Sequence, residues 1–445
     1  MWNLAWPAVA LNSLQVVNSL LDRAFIGHLE PAALTAHGAS INVVFLTISL
    51  SMTLATSATA LVSRAYGANR SADVRIATQR CLSVSMLAGF LIAALTLAGA
   101  PLAAVFLLPS ADKEAIALAT RFLIVFAAGL PAWFVIQSLA GSLRGIGDTK
   151  SPMVISGMQI LLHIGLNYIL IFPPTHTSFG VTIPGFALGL VGAATALAVS
   201  AWVAAIAYMA HVGRTPLGDA WRLGIPSRNW VVRILRIALP AATMAVLRVG
   251  SLTAFTLVLK QVANGSVAIA ALSIGFAIEG IMFMPAFGLS VSAAALVGQS
   301  LGMGRPERAE RLGWTASHHA ALVIGVLVVP LFLGAPWITH TLLGGKEAMA
   351  AEAALLIRTL CVTEVFFGYA MVLIGAMQGA GDTKSPMWIT LFALWGLRVP
   401  LAFVLALPLG LGSFGAWLAM SISQLVQGSL AMAAFKRGRW KTMEV

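Results

Sequence analysis

The sequence predicts an all-α polytopic membrane protein: about twelve transmembrane helices in two six-helix bundles, related by a pseudo-twofold axis along the membrane normal. Three observations predict it. Hydrophobic residues make up 59% of the 445 positions and charged residues only 9%, whereas a soluble domain carries about 25% charged residues. The apolar runs are long enough to cross a bilayer, which takes roughly 20 helical residues. A phrase also occurs twice: GSLRGIGDTKSPM at 141–153 and GAMQGAGDTKSPM at 375–387 agree at nine of thirteen positions, 234 residues apart.

Two further pairs extend the repeat, ALVSRAYGANR at 60–70 with ALVGQSLGMGR at 295–305, and LAWPA at 4–8 with IALPA at 237–241. The chain therefore reads as two related halves. In membrane proteins such halves usually pack around a pseudo-symmetry axis with a substrate site between them. The expected division is an N-terminal lobe at 1–211, a cytoplasmic linker at 212–233 and a C-terminal lobe at 234–445.

Taken in order, span one (4–26) carries Pro7 near its start and Asp22 within its outer half. Spans two (36–62) and three (79–107) are joined by a basic loop. Span four (116–140) leads into the first GDTKSP. There glycine permits a tight turn, Asp148 caps the next helix and Pro152 suits its first turn. The order Thr-Lys, with no strand before it, excludes a phosphate loop. Span five (152–172) carries His163 and Asn167. A turn-rich connector at 173–185 leads to span six (185–210). The linker holds Trp221, Arg222 and Trp230. The second half follows the same order: 234–262 with Pro240, 267–297 with Glu279, 314–337, 350–378 with Glu364, 386–408 after Asp382 and Pro386, and 412–434. Continuous runs without period-2 alternation favour helices over strands.

Orientation follows from arginine and lysine. With the N-terminus inside, 19 of the 27 basic residues fall in cytoplasmic loops and the tail, including Arg64, Arg70, Arg75, Arg80, Lys150, Arg305 and Arg437. The outer loops clearly hold only Lys113 and Lys346. Both termini are thus expected in the cytoplasm, and an even span count gives both halves one orientation. A signal peptide is not expected. The excess of arginine (20) over lysine (7) hints at a bacterial source, so the expected location is a bacterial plasma (inner) membrane. The net charge of +12 is spread over these loops. That distribution points to anionic lipid headgroups rather than nucleic acid. Cys81 and Cys361 have no redox or metal spacing. No cofactor, metal cluster or catalytic constellation is expected, and the chain does not read as an enzyme.

Asp22 is the sharpest single residue. An ionised aspartate at a helix centre costs roughly 2.5–3.5 kcal/mol on insertion scales, so it must be protonated, paired or hydrated. It is either a functional acid or the partner of neighbouring Arg23. The second half has Thr256 and Leu257 at the matching places, so ion chemistry at this position belongs to the first half. His163 and Asn167 stand four apart on one helix face. They are either buried polar groups satisfied by neighbours or part of a proton or substrate site. Glu279 and Glu364 are the other intramembrane acids, with Arg248, Lys260, Arg358 and Arg398 as candidate partners. Structural pairing and a counter-charge for a cationic substrate are both open for them. Met282, Met284, Met371 and Met377 offer adaptable surface or ordinary packing.

Asp22 followed by FIGHL, the ALVSRAYGANR segment, and LRGIGDTKSPM with LNYILIF, together with their second-half counterparts, resemble the multidrug and toxic compound extrusion transporters over essentially the whole chain. The resemblance implies a central cavity and export of cationic or amphipathic small molecules by alternating access, driven by inward H⁺ or Na⁺. It also implies a monomer. The family's first-helix aspartate matches Asp22, which inherits the coupling role. The archaeal pattern in span five has Asn and Asp four apart; here His163 and Asn167 stand there, without a second carboxylate. The norfloxacin-exporter branch has Glu eight residues after the span-seven proline and Asp in span ten. Here those features become Arg248 and Glu364. The resemblance is therefore closer to the archaeal and DNA-damage-inducible type, and H⁺ coupling through Asp22 is favoured, with Na⁺ at Asp22 as the alternative. A lipid-linked oligosaccharide flippase of the same superfamily is a further alternative, with Arg248 and Arg398 as phosphate partners.

Overall fold

A computed structural model describes residues 1–176, 182–218, 224, 226–344 and 346–443. Parts of the 173–185 connector, and Trp221 and Arg222 of the linker, lie outside the described residues. Among the described residues the regular structure is helical apart from a two-residue antiparallel pair, Thr175–His176 with Thr182–Ile183, in register Thr175 to Ile183. The first half comprises α1 (Trp2–Ile26), α2 (Pro31–Gly67), α3 (Ser71–Leu107), α4 (Lys113–Gly145), α5 (Lys150–Ile171) and α6 (Gly189–Val212). The second half comprises α7 (Arg228–Leu259), α8 (Gly265–Gly302), α9 (Pro306–Leu343), α10 (Glu347–Cys361), α11 (Glu364–Gly379), α12 (Lys384–Leu391), α13 (Val399–Ala406) and α14 (Gly412–Arg437). Among the described residues eleven helical stretches are long and apolar enough to span a bilayer, and α10 with α11, bent by 59°, supplies the twelfth. The predicted fold class is the observed one: twelve spans, six per half.

The helices exceed the predicted runs. At 37 or 38 residues, α2, α3, α8 and α9 measure about 55 Å each, against a hydrocarbon core of about 30 Å. Each is therefore longer than the apolar layer is thick. The repeated phrases close the ends of α2 and α8 identically. Arg70 N donates to Ala65 O and Arg305 N to Ser300 O, with Asn69 (φ 57°) and Gly304 (φ 68°) in the left-handed conformation. That six-to-one bond needs a left-handed residue just after the helix, which glycine and asparagine adopt most readily. The GDTKSP phrase repeats the device: Gly147 (φ 89°) and Gly381 (φ 91°) turn the chain, and Asp148 N and Asp382 N bond Leu143 O and Met377 O. Asp148 Oδ1 then accepts from Ser151 N at 2.9 Å and Asp382 Oδ1 from Ser385 N at 3.0 Å, capping α5 and α12.

Two compact units emerge. One contains 10–66 and 70–235; the other contains 1–9, 67–69 and 236–445. The first is called the N-terminal unit and the second the C-terminal unit. In each, a glycine pair four apart lets two helices meet backbone to backbone, the close approach small residues give membrane helices. In the N-terminal unit a Cβ on Gly141 or Gly145 would meet α2 at Ala55 or at Val62 and Ser63. In the C-terminal unit one on Gly375 or Gly379 would meet α8 at Ser290 or Ala294. Thr59 Oγ1 donates to Gly141 O at 2.9 Å across the first contact. The outward faces are apolar. Leu87, Leu91, Leu95, Leu102 and Phe106 line α3, and Leu322, Val326, Val329, Leu333 and Trp337 line α9, all exposed. In water such stripes would be liabilities; against acyl chains they are the solvated surface.

Candidate functional site

Within the N-terminal unit, α1 and α5 each present a polar pair four residues apart, and the two pairs face each other. Asn167 Nδ2 donates to Asp22 Oδ1 at 2.6 Å, and Asn18 Nδ2 donates to Asp22 Oδ2 at 3.3 Å. His163 Nδ1 lies 3.0 Å from Asn18 Oδ1 and 3.8 Å from Asp22 Oδ1. His163 and Asn167 are 3% and 1% exposed, so the site is dry on the α5 side. Asp22 keeps a partly open side chain. The sequence-predicted trio Asp22, His163 and Asn167 thus comes together, and Asn18 joins it. Sequence reasoning passed over Asn18, although its spacing of four from Asp22 places both on one helix face.

The hydrogen bonding is specific about charge. Both carboxyl oxygens of Asp22 accept from amides, the arrangement a carboxylate wants. Arg23 is exposed and makes no ion pair with Asp22 among the described residues. Pairing with Arg23 is therefore not the arrangement found. Two buried atoms of this site, His163 Nε2 and Asn167 Oδ1, have no hydrogen-bond partner among the described residues. A neutral imidazole with its proton on Nδ1 fits, since Nδ1 then donates to Asn18 Oδ1 and Nε2 carries only a lone pair; the tautomer is assigned from this network. Asn167 serves either state of the carboxyl. Its Nδ2 donates to a carboxylate, and a half-turn of the amide would bring Oδ1 round to accept from a carboxylic acid.

The acids of the C-terminal unit form a different arrangement. Glu279 Oε1 accepts from Gln424 Nε2 at 3.1 Å, and Gln424 Oε1 accepts from Thr363 Oγ1 at 3.2 Å. Glu364, the first residue of α11, is fully buried, with neither carboxyl oxygen hydrogen-bonded among the described residues. Arg398 donates through Nε to Ser423 Oγ at 2.7 Å and lies within electrostatic reach of Glu279, Glu364 and Arg248. No ion pair within 4.0 Å joins these groups among the described residues; they are a charge network rather than bridges. Arg358 stands outside it, with Nε on Phe332 O at 3.1 Å, and Lys260 is exposed at the end of α7. Met282 and Met377 are buried in the core, where packing accounts for them.

The bend that places Glu364 has no proline or glycine at its break. Thr363 N turns to Leu360 O at 2.9 Å, and the Thr359 carbonyl it leaves accepts from Ser421 Oγ at 2.8 Å. Arg398 ends a π-helical stretch, Phe392–Arg398, joining α12 to α13. Pro400 explains it: proline has no N–H and crowds the carbonyl four residues back, so the helix widens just before it.

The MatE family model matches residues 7–169 and 240–404, one match in each half. A protein of Thermotoga maritima named "Probable multidrug resistance protein NorM" is 29% identical over 99% of this chain and 93% of its own length. One of the same name from Bradyrhizobium diazoefficiens is 27% identical over 97% and 92%. Among solved structures, a MATE protein in complex with MaL6 superposes with a TM-score of 0.87 at 24% identity, covering 98% of this chain and 94% of that one. A MOP superfamily transporter from Pyrococcus furiosus, described as having a binding pocket of reverse polarity, gives 0.87 at 23%, covering 99% and 96%.

Proposed function

The chain belongs to the MatE family, hence is a multi-pass membrane transporter and not an enzyme, and on that premise we propose that it exchanges H⁺ for cationic or amphipathic small molecules through Asp22. The observation that carries this reading is the pair of amides on Asp22 with, among the described residues, no arginine or lysine bound to it. A carboxylate neutralised by a fixed cation has nothing to gain from a proton. One held only by neutral amides exchanges its charge readily with the state of the transporter.

The mechanism follows from solvation. Protonated Asp22 is neutral and tolerates a closed, dry lobe. Deprotonated Asp22 needs its amides, water or a cation, because an uncompensated charge costs roughly 2.5–3.5 kcal/mol at such depth. Proton and cargo therefore favour different conformations, and coupling is that difference. The membrane potential adds about 2.3 kcal/mol per charge moved per 100 mV. His163 orients Asn18, and Asn167 follows the carboxyl's protonation state. The lobes are 1–211 and 234–445 with the linker at 212–233, the chain acts as a monomer in a bacterial plasma membrane, and both termini are cytoplasmic. Arg248 and Glu364 at the positions discussed above support a coupling type closer to the archaeal and DNA-damage-inducible branch. Glu279, Glu364, Arg248 and Arg398 then set the charge the cargo meets. A Na⁺-coupled cycle is the second reading, favoured by the unpartnered Asn167 Oδ1, which could join the Asp22 carboxylate as an oxygen ligand.

Asn167→Ala removes the shorter of the two amide bonds on Asp22. A hydrogen bond to a charged group contributes about 1.5–3 kcal/mol, so ethidium efflux at a fixed pH gradient is expected to fall about tenfold or more with expression unchanged. Initial efflux rates in cells check this, and a wild-type rate in the variant would remove Asn167 from the coupling site.

A further inference from the structure

We propose that a groove on the C-terminal unit is a binding site for an anionic phospholipid, held through Arg358. The groove has a volume of about 310 Å³ and is lined by Phe332 of α9, by Arg358, Thr359 and Val362 at the bent span, and by Phe414 and Ser421 of α14. That volume sits at the low end for ligand pockets and suits a headgroup rather than a whole lipid. It lies beside the 59° bend, and Thr359 and Ser421 of its lining are joined by the Ser421 hydroxyl bond to the Thr359 carbonyl.

Arg358 is fixed there by a defect in α9. Pro336 has no amide hydrogen, so the carbonyl of Phe332, four residues earlier, has no helical donor. Arg358 Nε takes that place at 3.1 Å, and its guanidinium carbon lies 5.6 Å from the Phe332 ring centroid. The terminal guanidinium nitrogens make no hydrogen bond or ion pair to any described residue. They leave one full positive charge, partly held in orientation, in a wall of apolar side chains.

Depth and surroundings decide the occupant. Trp337, 73% exposed, ends the apolar stripe of α9 and is the residue type that marks the headgroup level. Phe332 lies five residues below it, about 7.5 Å along the helix, within reach of a long basic side chain rising to that level. Val362, 72% exposed, and Leu333 beside Phe332 continue the lipid-facing surface to the groove mouth. A cation in a pocket between spanning helices, open to acyl chains, fits the acidic headgroup of a lipid. Nothing in the coupling mechanism uses Arg358.

The test needs a local readout, because the basic loops at the other end of the helices also attract acidic lipids. Bimane attached at position 355 (Leu355→Cys, with Cys81→Ser and Cys361→Ala) reports one turn from Arg358. In nanodiscs, dibromostearoyl phosphatidylglycerol is expected to quench it at a mole fraction about fivefold lower than equally brominated phosphatidylcholine. Arg358→Gln should abolish that preference. Val362→Trp, which fills the groove and keeps the charge, should abolish it too and guards against misfolding of the first variant. Equal quenching by the two lipids in the parent protein overturns the proposal, as does a preference that survives Val362→Trp.

Discussion

Asp22→Asn is expected to reduce gradient-driven efflux to the level of empty membranes while the protein folds and inserts normally. Asparagine preserves the shape of the side chain, and Asn18 and Asn167 are able to turn their amides to meet it. What disappears is, among the described residues, the only carboxyl group at the junction of α1 and α5. The two conformations then differ in nothing a proton gradient acts on, and a ligand with no differential affinity shifts no equilibrium. Cargo binding is expected to persist, since the variant removes the coupled ion and leaves Glu279, Glu364, Arg248 and Arg398, the residues proposed to meet the cargo, in place. The pair of measurements is efflux under an imposed gradient and equilibrium binding of a fluorescent cation to detergent-solubilised protein. Loss of both would make Asp22 a structural or cargo-binding residue; retention of both would make it a bystander.

The second large effect is structural. Gly379→Leu is expected to prevent accumulation of folded protein, and Gly379→Ala to lower its thermal midpoint. A Cβ on Gly379 runs into the backbone of Ala294 on α8. A flexible side chain would turn aside, but a helix backbone cannot. Overpacking a core typically costs about 1–3 kcal/mol, a large share of a total stability of about 5–15 kcal/mol, and a backbone obstacle puts this case at or above that range. Gly325 on α9 is the internal control, since a Cβ there meets nothing within 4 Å; Gly325→Ala should leave the midpoint unchanged. Equal melting of the alanine variants of Gly379 and Gly325 would show that the close approach of α8 and α11 is not what stabilises this unit.

The repeat made most of the fold legible. Composition, run length and the duplicated phrase predict twelve helices in two sets of six. The chemistry of GDTKSP predicts the turn at Gly147 and Gly381 and the caps at Asp148 and Asp382. The GxxxG pairs were equally present in the phrase, at 141 and 145 and at 375 and 379, but their role appears only once α2 and α8 lie against them. The bend before Glu364 was not legible, because the Thr359 carbonyl it frees is bonded by the hydroxyl of Ser421, 62 residues away. The π-helical stretch before Pro400 had a local signal that a hydropathy reading averages away. For the site, Asp22, His163 and Asn167 stood out because polar side chains are rare in such runs. That α1 and α5 turn those faces toward each other is a tertiary fact, and Asn18 became visible only through it. The distribution of charge in the C-terminal unit was least legible of all. Four charged residues allow several pairings, and the structure instead bonds Glu279 to Gln424 and Arg398 to Ser423 and leaves both Glu364 oxygens without a hydrogen bond among the described residues.

The most direct test of proton coupling through Asp22 is transport in proteoliposomes with one gradient at a time. The protein is reconstituted with ethidium at equal concentration on both sides, first with a pH gradient in Na⁺-free buffer, then with a Na⁺ gradient at uniform pH. Uphill movement of ethidium toward the acidic compartment under the pH gradient alone, absent in Asp22→Asn, is the predicted result. Uphill movement under the Na⁺ gradient alone, with none under the pH gradient, would contradict it.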